Sequence, residues 1–215
     1  MDIPQLIAAV ERELAGPLPG PPAQMRMIPV PRIGHLDFAE AESTCSRAGV
    51  LVLLYAVNGR LHLLLTRRTD AVLHHKGQIS FPGGRREPGE DLLETAMRET
   101  REELGVHPNG LHVLGRLTPL YIPPSRYCIH PVVAWTEFRP AFRIQPDEVA
   151  EVIEVPIDHL LDPGSIRRES WIRRGRAVEV PFFLFGTHKV WGATAMVLSE
   201  FLEIFRTAEI YTASR

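Results

Sequence analysis

The 215-residue chain is 45% hydrophobic and 23% charged with a formal net charge of −2, the balance of an ordinary folded protein. Near-neutral charge gives no electrostatic hold on nucleic acid or an anionic membrane, and no apolar run approaches the roughly 20 residues of a membrane span. The two cysteines, Cys45 and Cys128, form no CxxC; this argues against a disulfide scaffold or thiolate zinc site and for a reducing, cytoplasmic setting, and neither is given a role.

At the N-terminus, Ile3, Leu6, Ile7, Val10 and Leu14 recur at helical spacing, so residues 2–15 read as an amphipathic helix that docks on the core. The start carries Asp2 and no basic stretch, unlike a secretion signal. "GPLPGPPAQ" follows as a proline-rich connector, so residues 1–23 are taken as a helix and connector ahead of the main domain. From Val50, "VLVLLYAV" and "RLHLLLTRR" read as strands around Asn58-Gly59, the strongest short hairpin signal. A short strand in "QISF" leads into the bend Pro82-Gly83-Gly84. The next helix runs from Asp91 to Leu104. Asp91 and Glu94 are spaced as a capping box and Gly105 supplies the stop. Leu93, Ala96, Met97, Thr100 and Leu104 form its expected buried stripe.

Further strands are expected at 111–117, 129–138 and 148–155. A second hairpin covers "SWIRRGRAVEVPFFLF", turning at Arg174-Gly175, and a final helix runs from Ala193 to Thr207. Strands and helices mix without the regular alternation of a doubly wound sheet, so the pattern predicts one mixed α/β domain over residues 48–207.

On the helix 91–104, Glu99, Glu102 and Glu103 fall within one turn and share a sector beside the apolar stripe. Like charges so placed cost about 0.2–0.5 kcal/mol per pair unless a cation neutralises them. Hard divalent ions take oxygen ligands, usually a few carboxylates together with substrate phosphate. The Gly83-Gly84 bend brings bare backbone to the same place, where the Gly83 carbonyl can add a ligand. A metal held between carboxylates and phosphate oxygens neutralises charge and activates a water. The plainer reading is a solvated helix face with Glu94–Arg98 as an i,i+4 pair.

Spacing separates the two. Gly84, five residues, Glu90, seven residues, Arg98-Glu99, two residues, Glu102-Glu103, one residue, Gly105 and Val106 resemble the Nudix box. The resemblance to Nudix hydrolases implies a Nudix fold, an α/β/α sandwich around a mixed β-sheet. It also implies Mg2+- or Mn2+-dependent hydrolysis of a nucleoside diphosphate linked to another group. By position it makes Glu99 and Glu103 principal metal ligands and Glu102 a third ligand or proton acceptor. Gly84, Glu90, Arg98 and Gly105 then support the loop and helix.

Upstream, "LLLTRRTDAVLHHKGQISFPGG" resembles the extra signature of coenzyme A pyrophosphatases through Leu64-Leu65-Thr66, Arg68, His75, Gly77, Phe81 and Pro82-Gly83-Gly84. Thr69 stands where serine is usual and Leu73 where arginine often stands. "LYIPPSRYCIHPVVAW", "DEVAEVIEVPIDHLL" and "KVWGATAMVL" look like the same branch. The implied substrate is coenzyme A or a derivative, split into phosphopantetheine species and 3′,5′-ADP. Arg68 and His75 are the candidate substrate contacts, donors toward the pyrophosphate or 3′-phosphate, with exposed strand-edge residues as the plainer reading.

Arg167, Arg168, Arg173, Arg174 and Arg176 read as the solvated face of a hairpin, and Trp191 and Tyr121 as packing residues before adenine-stacking ones. Two rivals stay open: a Nudix hydrolase of another substrate, such as ADP-ribose or a dinucleoside polyphosphate, and a nucleotide-sensing module that cleaves nothing. Such modules usually lack box carboxylates, and here every one is present. The expected partner is a small molecule, with no nucleic acid and no membrane; monomer and homodimer both stay open.

Overall fold

The structure, a computed structural model, describes residues 2–31, 38–69, 77–173 and 175–213. Helices α1 (Ile3–Leu14), α2 (Gly20–Gln24) and α3 (Phe38–Ala41) precede strands β1 (Ser46–Val57), β2 (Arg60–Arg68), β3 (Ile79–Ser80) and β4 (Gly83–Arg85). Helix α4 (Leu92–Leu104) leads to β5 (His112–Arg116), β6 (Leu120–Ile122), β7 (Tyr127–Thr136) and β8 (Val149–Pro156). The chain closes with α5 (Ile157–Leu161), β9 (Ile166–Arg173), β10 (Arg176–Phe185), β11 (His188–Trp191) and α6 (Gly192–Ala213). None of these helices is long and apolar enough to cross a membrane.

Strand β1 is the spine of an eight-stranded mixed sheet. It pairs antiparallel with β2 and β4 and parallel with β7 along Ser46↔Tyr127 to Tyr55↔Thr136. The β1–β2 turn has Asn58 at φ 50° and Gly59 at φ 74°, the two left-handed residues of a type I′ hairpin. A central parallel pair needs cover on both faces, which is why "VLVLLYAV" is apolar without alternation. Val52 and Leu54 join one core with Leu6, Val10, Phe201 and Phe205; Leu51, Leu53 and Tyr55 join the other with Ala96, Met97 and Leu104. Helices α1 and α6 thus cover one face and α4 the other: an α/β/α sandwich around a mixed sheet. Strands β9, β10 and β11 form a small second sheet.

Several elements differ from the sequence expectation. The proline-rich connector is partly helical, because prolines fit a first helical turn whose N–H groups have no partner. Of the Pro82-Gly83-Gly84 bend, Pro82 is a bend, but the two glycines belong to a paired strand, with Gly83 opposite Val50 and Gly84 opposite Gly49. Strands β6 and β11, of three and four residues, are too short to show a period. The second hairpin pairs Arg173 with Arg176; of its expected turn, Gly175 has φ 74° and Arg174 lies outside the described residues. Arg167, Arg168, Arg173 and Arg176 are all exposed on this hairpin. Arg173 lies 4.4 Å over the Trp191 ring, which packs edge to face on Trp171.

The cysteines are a correction. Cys45 and Cys128 are bonded to each other across 83 residues, with Cα atoms 5.7 Å apart. The parallel register sets Arg47 opposite Cys128, which brings Cys45 within bridging reach. Nothing in local spacing announces such a pair.

Glu200 of α6 ties the N-terminal segment to the core. Fully buried, its carboxylate accepts from Gly20 N–H at 3.2 Å, Gln24 Nε2 at 2.8 Å, Thr118 N–H at 3.2 Å and Thr118 Oγ1 at 2.6 Å. Ser199 Oγ donates to Ala23 O at 2.7 Å. Glu200→Ala orphans these buried donors and is expected to cost at least about 3 kcal/mol of unfolding free energy. Chemical denaturation measures it, and a loss below about 1 kcal/mol contradicts the role given to Glu200.

Candidate active site

Helix α4 is fixed at both ends. Asp91 Oδ1 accepts from the Leu93 and Glu94 N–H groups at 2.7 and 2.8 Å, and Glu94 Oε2 accepts from Asp91 N–H at 2.8 Å, the reciprocal capping box. At the other end Gly105 is left-handed, and the Arg143 and Gln145 N–H groups donate to the Leu104 and Glu103 carbonyls at 2.7 and 2.8 Å. The orphan carbonyls of the last turn are thereby met.

Strand β4 lies directly over this helix. Gly83 N–H donates to Glu103 Oε2 at 3.2 Å. A methyl group on Gly84 would stand 2.6 Å from Glu99 Oε2. The bare backbone of Gly84 admits the Glu99 carboxylate beneath the strand, and the Gly83 N–H reaches Glu103. The Glu99 side chain keeps 17% of its surface exposed and that of Glu103 4%. Glu102, sharing their sector of the helix, is half exposed and turns to Arg98.

Arg98 braces the assembly. Its Nε donates to Glu90 Oε1 at 2.6 Å and its Nη2 to Glu90 Oε2 at 3.2 Å and Arg85 O at 3.1 Å. Its Nη1 reaches Glu99 Oε1 at 3.0 Å and Glu102 Oε2 at 2.9 Å. Glu90 Oε2 also accepts from Thr95 Oγ1 at 2.9 Å and Glu87 N–H at 3.1 Å. The Arg98 hydrogen bonds, then the Glu87 N–H, hold the Glu90 carboxyl down at about 2. Glu94 turns to the cap and does not pair with Arg98.

The two buried carboxyls move the opposite way from Glu90. Burial pushes Glu103 up to about 8, against the Gly83 N–H and the Arg68 charge, while Glu99 and Glu148 push it further. Burial also raises Glu99, against Arg98, with Glu102 and Glu148 adding to the rise. Arg68 reaches this place because β2 slips register between Arg67 and Arg68; its Nη1 lies 3.8 Å from Glu103 Oε1. His75 lies outside the described residues. Glu148 was not foreseen: it joins through a loop 45 residues beyond Glu103, and no motif spacing links the two.

Among the described residues no three His, Cys, Asp or Glu side chains close into a finished metal shell; Glu102 is drawn aside by Arg98. The donors still suit a hard divalent cation, because two desolvated carboxylates with little cationic compensation gain most from one. A cavity of about 840 Å³ opens beside Glu99.

Residues 46–175 match the NUDIX domain. The chain belongs to the Nudix family. It is 41% identical over 159 residues to the mitochondrial coenzyme A diphosphatase NUDT8 of Homo sapiens, covering 72% of this chain and 66% of that protein. It is 38% identical over 164 residues to the Mus musculus protein of the same name, covering 74% and 78%. The peroxisomal coenzyme A diphosphatase NUDT7 of Mus musculus is 37% identical over 134 residues, covering 61% and 56%. The chain thus spans just under two thirds of the human relative's length. As a Nudix protein it keeps every carboxylate, arginine and glycine of the box.

In the metal-free protein, folded Glu103 holds its proton to about pH 8, against an ordinary value of 4.5. The native state therefore binds more protons than the unfolded one between those values. Stability is expected to fall as pH rises through that window, by up to about 1.4 kcal/mol per pH unit. Denaturation in chelator across pH 4.5–8 measures it; Glu103→Gln flattens the slope, and a wild-type curve already flat there refutes the burial argument. Gly84→Ala should cost about 1–3 kcal/mol by overpacking and displace Glu99, read as a lower melting temperature together with lost turnover.

Proposed function

We propose that this Nudix protein is a divalent-metal-dependent pyrophosphohydrolase acting on coenzyme A or a derivative, releasing phosphopantetheine species and 3′,5′-ADP. The observation that carries the chemistry is the pair of desolvated carboxylates, Glu99 and Glu103, under the bare Gly83-Gly84 backbone of β4. The substrate is supported by the coenzyme A diphosphatases among its relatives and by the sequence signature around Arg68. Mg2+ or Mn2+ fits the oxygen donors, with Glu99, Glu103 and the Gly83 carbonyl to hold it and Glu102 as a further carboxylate. When bound, such an ion neutralises phosphate charge and lowers the pKa of a bound water.

The remaining groups belong to the chain. Arg68 is placed to meet a phosphate oxygen beside Glu103, and Arg98 and Glu90 hold the loop still while charge redistributes. Glu148, whose negative charge acts on both Glu99 and Glu103, is a further carboxylate that can accept a proton from an attacking water.

Glu103→Gln should leave the melting temperature of the metal-free protein close to that of wild type below about pH 8, where Glu103 is already neutral, and should lower turnover of coenzyme A by at least about 100-fold. Product analysis in 18O-labelled water checks the bond: the label is expected in one of the two phosphate products of the pyrophosphate link. Inorganic phosphate as the primary product, or a variant with more than half of wild-type activity, overturns the proposal.

A further inference from the structure

The cavity beside Glu99 is lined by Arg85 and Arg86 and by Ser43, Ser46 and Arg47. The backbone holds these walls together: Arg86 N–H donates to Arg47 O at 2.9 Å, and Arg85 lies opposite Ala48 in the β1–β4 ladder. The disulfide from Cys45, itself in the wall, anchors the segment carrying Ser43, Ser46 and Arg47 to β7. Among the described residues neither Arg85 nor Arg86 pairs with a carboxylate, and Arg47 has only Glu42 at 3.8 Å. Glu42 and Glu87, both exposed, line the same cavity together with Glu99. Elsewhere the site's arginines are engaged: Arg98 holds three carboxylates and Arg68 faces Glu103.

Arg85 and Arg86, whose guanidinium groups have no carboxylate within ion-pair distance among the described residues, attract an anion into a concave wall, and guanidinium groups with neighbouring hydroxyls match the oxygens of a phosphate dianion. The reacting pyrophosphate belongs over Glu99 and Glu103, so this cleft next to Glu99 is free for a different phosphate of the same molecule. We propose that Arg47, Arg85 and Arg86 form a specificity site for a second, non-reacting phosphomonoester, which in coenzyme A is the 3′-phosphate. The inference rests on the hydrolase reading above and refines it: Arg68 serves the bond that breaks, and the cleft arginines select the substrate.

The test has a binding arm and a turnover arm. Calorimetric titration compares 3′,5′-ADP with 5′-AMP on wild type, Arg47→Ala/Arg86→Ala and Arg47→Lys/Arg86→Lys; kcat/KM compares coenzyme A with dephospho-coenzyme A on the same proteins. Wild type is expected to prefer the 3′-phosphorylated ligand by about 10- to 100-fold in both arms, the alanine variant to bring the two ligands within about twofold, and the lysine variant to keep part of the preference. An alanine variant that weakens both ligands equally, or leaves the preference intact, overturns the site. Wild type that hydrolyses coenzyme A without 3′-phosphate preference sinks this site alone. Wild type that binds 3′,5′-ADP through these arginines yet leaves coenzyme A uncleaved upholds the site and sinks the proposed function.

Discussion

Strand β4 runs so close over α4 that a methyl group on Gly84 would stand 2.6 Å from a Glu99 oxygen, and the behaviour of the site follows from that closeness. Water is excluded from one side of Glu99 and Glu103, so burial becomes the largest influence on both carboxyls. The only donor that β4 itself offers in exchange is the Gly83 N–H. One neutral hydrogen bond is a poor substitute for the hydration of a charge. The place therefore favours whichever species brings positive charge, a proton in the bare protein or a hard cation in its stead.

Such an arrangement persists only if the parts cannot move apart, and the sheet supplies that rigidity. β4 is paired to β1, whose side chains alternate between two packed cores, so separating β4 from α4 would require disturbing one of them. The face away from the site is secured independently. Glu200, with its four donors, shows what a buried carboxylate looks like when its role is structural. Glu103, with one close donor and an arginine at 3.8 Å, shows the contrast. Completeness of hydrogen bonding, more than depth of burial, separates the two.

Much of this was legible in the sequence because it is local. The Asn58-Gly59 hairpin, the Asp91/Glu94 cap, the Gly105 stop and the acidic turn all lie within a few residues of one another, and each has a specific physical signature. The expected bracing by Glu90 and Arg98 also lies on one helix and its preceding loop. What escaped is long-range. The Cys45–Cys128 bond depends on a parallel register between strands far apart in sequence. Glu148 depends on the path of a loop, and the Glu200 anchor depends on where two helices dock. The strand identity of Gly83–Arg85 was hidden because glycine carries no strand propensity; its pairing is imposed from outside. The sector shared by Glu99, Glu102 and Glu103 was readable from the helical period, but their division was not: Arg98 pulls Glu102 outward, and β4 covers the others.

The polarity of α4 gives the last step. Its first turn carries Asp91 and Glu94, where the helix end is positive and acidic groups stabilise it. Its last turn carries Glu102 and Glu103, where the end is negative and the same groups destabilise it. Arg101 is the one basic residue of that turn; a helix selected for stability alone would have lysine or arginine at 102 and 103 as well. The chain instead places backbone N–H groups from Arg143 and Gln145 against the final carbonyls, which blunts the negative end without neutralising the side chains. The terminal field is reduced enough for the helix to form, and the carboxylates keep their unmet demand for a cation. The cost is confined to one turn of one helix whose opposite end carries a reciprocal cap, so the fold can carry it, and the uncompensated carboxyls sit where the β4 backbone is closest.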